Sequence, residues 1–416
     1  MRFPILSASA LACVLLFIYP AYAENTLSLE DAVTIALNRD DPRIAGYRER
    51  AAALDDRAIA DSQLPDPNLR LRLQNLPTDS FKFSQEPMTQ AEVALQQAFP
   101  AGETRSLTRE KRGAEAQAAR AHQSLELSGL ILDTRHAWFE VYYWAHARET
   151  LAKSREAIRE LSEVLTGTFA TGRKTSQDVL RAQLELSLLD DRLMEAERQE
   201  HMARASLARF VGSASSQESL PTQLPALQEP PRKAALRDAL AVHPAIKAED
   251  AEIAARTYDI EIAEEQYKPH WMVDVGYGVR SGQRPDFASV GVTLSLPFFT
   301  DKRQDRNASA ARHERNAARL DRHARLLEMN KLLGRTYAAW DMLNQRIALY
   351  ERAVLERAAG TTEAALSAYR NAVSDFDDLI QARLAELEAE LTLLRLRVDR
   401  AQAQAQLLYL NGEHDE

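Results

Sequence analysis

The sequence predicts a mainly α-helical chain with membrane β-strands, in which one helix–strand–strand–helix–turn–helix plan is used twice. Three observations carry that expectation. The 416 residues include only 14 Gly, and Ala, Leu, Glu, Arg and Gln are abundant, as long helices require. Two short stretches, Pro65–Pro100 and Pro269–Pro297, abandon helical periodicity for alternation. Landmarks recur at an offset of roughly 200 residues, the mark of an internal duplication. Trp340 answers Trp138, Tyr369 answers Phe169, Asp378 answers Asp178 and Ala382 answers Ala182.

Residues 1–23 read as a secretory signal, with Arg2 before the apolar run Ile5–Tyr19 and a small-x-small cleavage site at Ala21-Tyr22-Ala23. Cleavage before Cys13, after Ala10-Leu11-Ala12, would instead make Cys13 a lipidation site. The apolar run continuing past Cys13 favours the later site. Cys13 is the only cysteine, so removal of the signal leaves no disulfide, zinc-thiolate or cysteine-nucleophile chemistry. No later run approaches the roughly 18 apolar residues of a membrane helix. The mature protein is therefore expected to be exported, and either to stay soluble or to enter a membrane as strands. The net charge of −9, with basic residues spread out, gives no nucleic-acid surface.

The first repeat is expected over residues 24–212. Ser28-Leu29-Glu30-Asp31 opens a short helix with capping-box character, ending near Asn38. Pro42 suits the first position of a second helix, to about Gln63. Strands follow at about 68–76 and 92–99. In the first, Leu69, Leu71 and Leu73 alternate with Arg70, Arg72 and Gln74; in the second, Val93, Leu95, Gln97 and Phe99 alternate with Ala94, Gln96 and Ala98. No proline occurs between Pro100 and Pro221, so a single helix of about 90 Å is expected from Thr104 to near Leu165. It breaks in TGTFATGRKTSQD, and a helix from Ser176 to Val211 returns.

After a linker at 213–234, the second repeat covers 235–412, with 413–416 as a tail. Pro244 answers Pro42, and a helix runs to about Tyr267. Strands are expected at about 270–280 and 288–297. Trp271, Val273, Val275, Tyr277 and Val279 alternate with Met272, Asp274, Gly276 and Gly278. A helix from about Arg303 to Arg357 then leads into the break AYRNAVSDFDDLIQAR and a last helix to Tyr409.

A lone strand pair is unstable, and neither pair has a compact domain to cover it. Strands of about 8–11 residues with one apolar face suit a tilted membrane barrel. Four strands cannot close a barrel, which needs about eight or more, so several chains must join: two give eight strands and three give twelve. The helices of each repeat make two rods of similar length, joined at the far tip and suited to coiled-coil contacts. Arranged around an axis they extend the barrel into a conduit. If the apolar face meets lipid, Arg70, Arg72 and Asp274 line the lumen.

These residues match a family. The whole mature chain resembles the TolC-type outer-membrane factors, on the duplication, LSLEDAVTIALNRDDPRI, GVTLSLPFF and TGRKTSQDVLRAQ. LPDPNLRLRLQNLP, QEPMTQ and FPAGETRSL look most like members accompanying heavy-metal efflux pumps of the copper–silver or cobalt–zinc–cadmium type. The resemblance implies a homotrimer with a twelve-stranded β-barrel in outer-membrane lipid, continuous with a twelve-helix α-barrel in the periplasm. It implies docking to a periplasmic adaptor and an inner-membrane RND transporter, and export of heavy-metal cations, with drug efflux or type I protein secretion as alternatives. Carried over by that resemblance, Tyr369 and Asp378 fall on positions that help hold the periplasmic gate shut. Ser374 stands where the family's gate has Arg and Gln381 where it has Asp, with Lys174 and Arg181 nearby in the first repeat, so a different hydrogen-bond set is required. Thr171, Gly172 and Arg173, with Asn371, Ala372 and Val373, sit where adaptor tips would dock.

Asp375, Asp377 and Asp378 suit capping of the last helix, and in a trimer would also place nine carboxylates near one axis. The His residues do not cluster at ligand spacing, Met88 reads as a loop residue, and Trp138, Tyr142, Tyr143 and Trp144 as helix-packing residues. No catalytic or phosphate-binding motif appears, so neither an enzyme nor a cofactor is expected. The competing reading of another class is a soluble periplasmic coiled-coil scaffold whose strands form a small sheet.

Overall fold

The computed structural model describes residues 26–170, 176–371 and 373–412. The predicted signal, Thr171, Gly172, Arg173, Lys174, Ala372 and the tail lie outside the described residues. The chain begins with α1 (Leu29–Asn38) and α2 (Pro42–Ala60). Ser28 caps α1: its Oγ accepts from the Asp31 N–H at 3.1 Å and donates to the Asp31 carboxylate at 2.6 Å. Asp41 caps α2 with Pro42 behind it, as that spacing predicts. The helix stops at Ala60, short of Gln63, because the Ser62 hydroxyl and the Gln63 amide both donate to the Ile59 carbonyl.

Strands β1 (Asn68–Gln74) and β2 (Gln90–Phe99) follow. β1 ends before residue 76 because Asn75 turns into the left-handed region at φ 53°. Its side chain donates to the Met88 carbonyl, and the Thr89 hydroxyl donates to the Asn75 carbonyl at 2.7 Å, closing the loop so that Gln74 pairs with Gln90. Helix α3 (Thr104–Ala170) has 67 residues and spans about 100 Å. It continues past Leu165 through Gly167. One helical Gly costs about 1 kcal/mol, less than the packing of the Leu151, Ile158, Leu165 seam secures. Helix α4 (Ser176–Val211) returns along it.

The same order recurs: α5 (Lys233–Ala239), α6 (Pro244–Glu265), β3 (His270–Arg280), β4 (Phe287–Ser295) and α7 (Gln304–Leu349). β4 stops two residues early, where Phe298 N–H donates to Leu296 O in a tight turn around Pro297. Instead of ending near Arg357, the helix passes through a π-helical turn (Tyr350–Val354) into α8 (Leu355–Arg370). Helix α9 (Phe376–Leu410) completes the chain.

Ion pairs mark how the helices align. Arg112–Asp61 and Arg120–Asp55 join α3 to α2, and Arg148–Glu200 and Arg155–Asp190 join it to α4. Thus α2 and α4 stack end to end along one long partner. Arg322–Asp250 and Arg312–Glu264 join α7 to α6 in the same sense. Buried Ala182, Leu189, Ala196 and Ala203 of α4 are spaced by seven, facing Leu151, Ile158 and Leu165 of α3 and Ile380 and Leu387 of α9. That is the spacing of a coiled-coil seam.

The largest core sits midway along the rods. Trp138 and Phe139 are fully buried there, and Trp138 Nε1 donates to Leu27 O at 3.0 Å. Tyr142 donates to Thr222 O, Arg204 to Ser216 O and Gln404 to the carbonyls of Leu227 and Gln228. The linker is therefore strapped across the helices. A second cluster, including Leu236, Leu240, Ile246, Leu333 and Leu407, packs α5 and α6 on α7 and α9. Among the described residues, no helix is long and apolar enough to cross a membrane.

Candidate functional site: an outward-facing apolar sheet and the far turn

The two strand pairs form one antiparallel sheet in the order β1-β2-β3-β4. β2 and β3 share a long ladder from Gln90↔Arg280 to Phe99↔Trp271. Register then sorts the side chains. Leu69, Leu71 and Leu73, Val93 and Leu95, the odd positions Trp271–Val279, and Val290, Val292 and Leu294 share one face. Arg70, Arg72, Glu92, Gln96, Asp274 and Ser289 share the other.

The apolar face is the open one. Leu71 is 71% exposed and Val290 76%, whereas Ala94 and Gln96 on the polar face are 4% and 7% exposed. A soluble sheet with one packed face shows the reverse. Phe99 stacks on Trp271 at 4.1 Å, and Phe298 and Phe299 stand exposed just beyond β4. Aromatic residues therefore collect at the helical end of the apolar band.

The structure places Arg70, Arg72 and Asp274 together on the polar face. Arg70 donates to Gln96 Oε1 at 2.6 Å, and Arg72 lies 3.9 Å from Glu92 Oε2. Asp274 lies over Gly291: a Cβ there would be 2.5 Å from its carboxylate. Gly276 likewise makes room for Glu92 and Ser289. Glu92 and these glycines were not singled out from the sequence. The available signal was that the glycines of β3 and β4 fall only among the polar positions.

At the far end, α8 turns into α9. Phe376 is buried and meets Tyr369 edge-on at 5.7 Å. Burial raises the Tyr369 phenol above its ordinary range, and the Asp178 charge adds to the effect. Asp375 occupies the N-cap position, but its side chain makes no capping hydrogen bond, contrary to the capping expectation. Asp375 and Asp378 are exposed. Asp377 is half-buried: Arg181 Nε of α4 lies 2.7 Å from its Oδ1, an ion pair whose N–H is not aimed as a hydrogen bond, and Gln381 donates to its Oδ2 at 2.9 Å. Arg181, Asp377 and Gln381 thus form a set that ties α9 to α4 within one chain. Asn371 and Val373 are exposed at the tip beside it.

The sequence profile of the outer membrane efflux protein family matches residues 235–413. No curated protein matches the chain in sequence. Among solved structures, the fold matches VceC from Vibrio cholerae with TM-score 0.79 and 16% identity, over 93% of this chain and 97% of that one. It matches CusC with TM-score 0.79 and 14% identity, over 93% and 92%. The open state of MtrE from Neisseria gonorrhoeae matches with TM-score 0.76 and 16% identity, over 92% and 88%. The expected protomer fold, mainly helical with a small sheet, is thus the observed one. The chain is thus similar in sequence, over its second repeat, to the outer membrane efflux protein family, and in fold, over nearly its whole length, to the solved VceC, CusC and MtrE structures.

Proposed function

We propose that the chain is the outer-membrane exit duct of a tripartite efflux system that exports heavy-metal cations. It works as a homotrimer, coupled through a periplasmic adaptor to an inner-membrane RND transporter that supplies the energy. The observation that carries the duct is the sheet: its apolar face points outward, and β1 and β4 are edges that, among the described residues, pair with no further strand. Three copies supply twelve strands, enough to close a barrel of about eight or more. Arg70, Arg72 and Asp274 then line the lumen. Tyr369, Asp375, Asp377 and Asp378 form the periplasmic gate, with Asp377 restrained by Arg181. Thr171, Gly172, Arg173, Asn371, Ala372 and Val373 meet the adaptor.

The metal cargo is supported by the resemblance of LPDPNLRLRLQNLP, QEPMTQ and FPAGETRSL to members serving metal pumps. Deleting the gene and measuring growth on copper, silver, zinc, cadmium and a drug panel tests it. Lost tolerance to one or more metals, restored by the intact chain, is expected. Unchanged metal tolerance with lost drug tolerance would overturn the metal cargo and leave the duct standing.

A further inference from the structure

We infer that copies of the chain are locked at the barrel seam by an ion pair between Asp274 of one copy and Arg72 of the next. This rests on the reading that several copies close the barrel. Asp274 is half-buried on the polar face of β3, and among the described residues it makes no hydrogen bond or ion pair. Its carboxylate lies across β4, over Gly291, toward the free edge of the sheet. The opposite free edge, β1, carries Arg70 and Arg72 on the same face. Acid therefore stands at one edge and base at the other.

The internal duplication gives the register of the seam. Placing Pro65 on Pro269 and Pro100 on Pro297 lays β1 on β3 and β2 on β4, and carries the pair Leu69↔Leu95 onto Val273↔Val292, which is also paired. The join between the repeats, β2 to β3, is then the template for β4 to β1 of the next copy. Its pair Ala94↔Gly276 becomes Gly291 opposite Arg72, Gln96↔Asp274 becomes Thr293 opposite Arg70, and Glu92↔Gly278 becomes Ser289 opposite Gln74. Repeating this join shifts the ladder by two residues per hairpin, a strand tilt of about 35°, in the range of membrane barrels. Gly291 thus sits between Asp274 and the Arg72 side chain of the next copy, with no side chain of its own to separate them. Arg72 already lies near Glu92 within its own chain. At the seam it becomes the cation between two carboxylates, in a lumen where the apolar face cannot supply specificity of pairing.

The test uses the full-length chain in native outer membranes. Gln74→Cys combined with Ser289→Cys leaves the ion pair intact and places two thiols opposite each other across the seam. Oxidation is expected to give reducible dimers and trimers, while either single variant, or Asn68→Cys with Ser289→Cys, stays monomeric on denaturing gels. Asp274→Arg is expected to shift the native-gel oligomer to smaller species, and adding Arg72→Asp to the same chain is expected to restore it. Crosslinking of the Asn68 pair instead, or an undiminished oligomer in Asp274→Arg, would overturn the seam while leaving closure by several copies intact. A wild-type chain that runs as a monomer in mild detergent, with no crosslinks, would overturn both.

Discussion

Leu189 in the helical part is 1% exposed, while Val290 in the sheet is 76% exposed. Around Leu189, apolar residues turn inward at seven-residue spacing and charges decorate the outside. Around Val290, apolar residues turn outward and the shielded positions belong to Gln96, Ala94 and the glycines. Both regions follow the same rule, that apolar surface leaves water. In the proposed duct, the difference lies in what replaces the water: neighbouring helices in one case, lipid in the other. On that proposal one chain encodes two solvents, and substitutions discriminate between them.

The largest effect is expected in the helices. Leu189→Ala opens a cavity in the seam and should cost about 2–5 kcal/mol, read from denaturant unfolding in detergent. Val290→Arg should cost about 2–4 kcal/mol and deplete the membrane-integrated protein, because a charge must then sit against lipid. Val290→Ala should be well tolerated. If the sheet lay in water instead, Val290→Arg would fall within about 0.5 kcal/mol of wild type, as surface substitutions do.

A smaller, pH-dependent effect is expected at Glu140, where α3 meets α9. Burial alone would raise its carboxyl, but hydrogen bonds from Arg395 and Gln402 outweigh this and hold it below the ordinary value of 4.5. The stabilisation is therefore present at neutral pH and lost as pH falls through the lowered value. Glu140→Gln should cost about 1 kcal/mol at pH 7, modest because the pair is about one-third exposed. Thermal unfolding should show that gap closing as pH drops below 4.5.

The smallest stability change is expected at the far turn. Arg181→Ala should cost less than about 1 kcal/mol, since the Arg181–Asp377 pair is partly exposed. Its readout is conductance: freeing α9 from α4 should raise single-channel current in planar bilayers, and an unchanged current would remove the pair from the gate. Replacing Asp375 and Asp378 with Ala should reduce cation preference in the same recordings.

Much of this contrast was legible in local sequence. Alternation in NLRLRLQ and HWMVDVGYGVR marks strands, and Ser28 with Asp31 and Asp41 with Pro42 mark helix starts, because those signals act within a few residues. Pairings made across the chain were not legible. β2 meets β3 across the whole first set of rods, and Arg181 finds Asp377 on a helix from the other repeat. The π-helical turn at Tyr350–Val354 has no proline or glycine to announce it, and Gly360, a plausible breaker, is absorbed inside α8. Asp375 shows the converse: a residue type suited to capping sits at the N-cap and does not cap.

The central claim, that the sheet faces lipid outward and water inward, is tested most directly at the neighbouring residues Ser289 and Val290. Single cysteines at each, labelled with a fluorophore or spin probe, are exposed to a lipid-soluble and a water-soluble quencher in outer-membrane vesicles. The account predicts that only the lipid-soluble quencher reaches position 290 and only the water-soluble one reaches 289, reversing again at Gly291 and Val292. Equal access of the water-soluble quencher to both residues would contradict it.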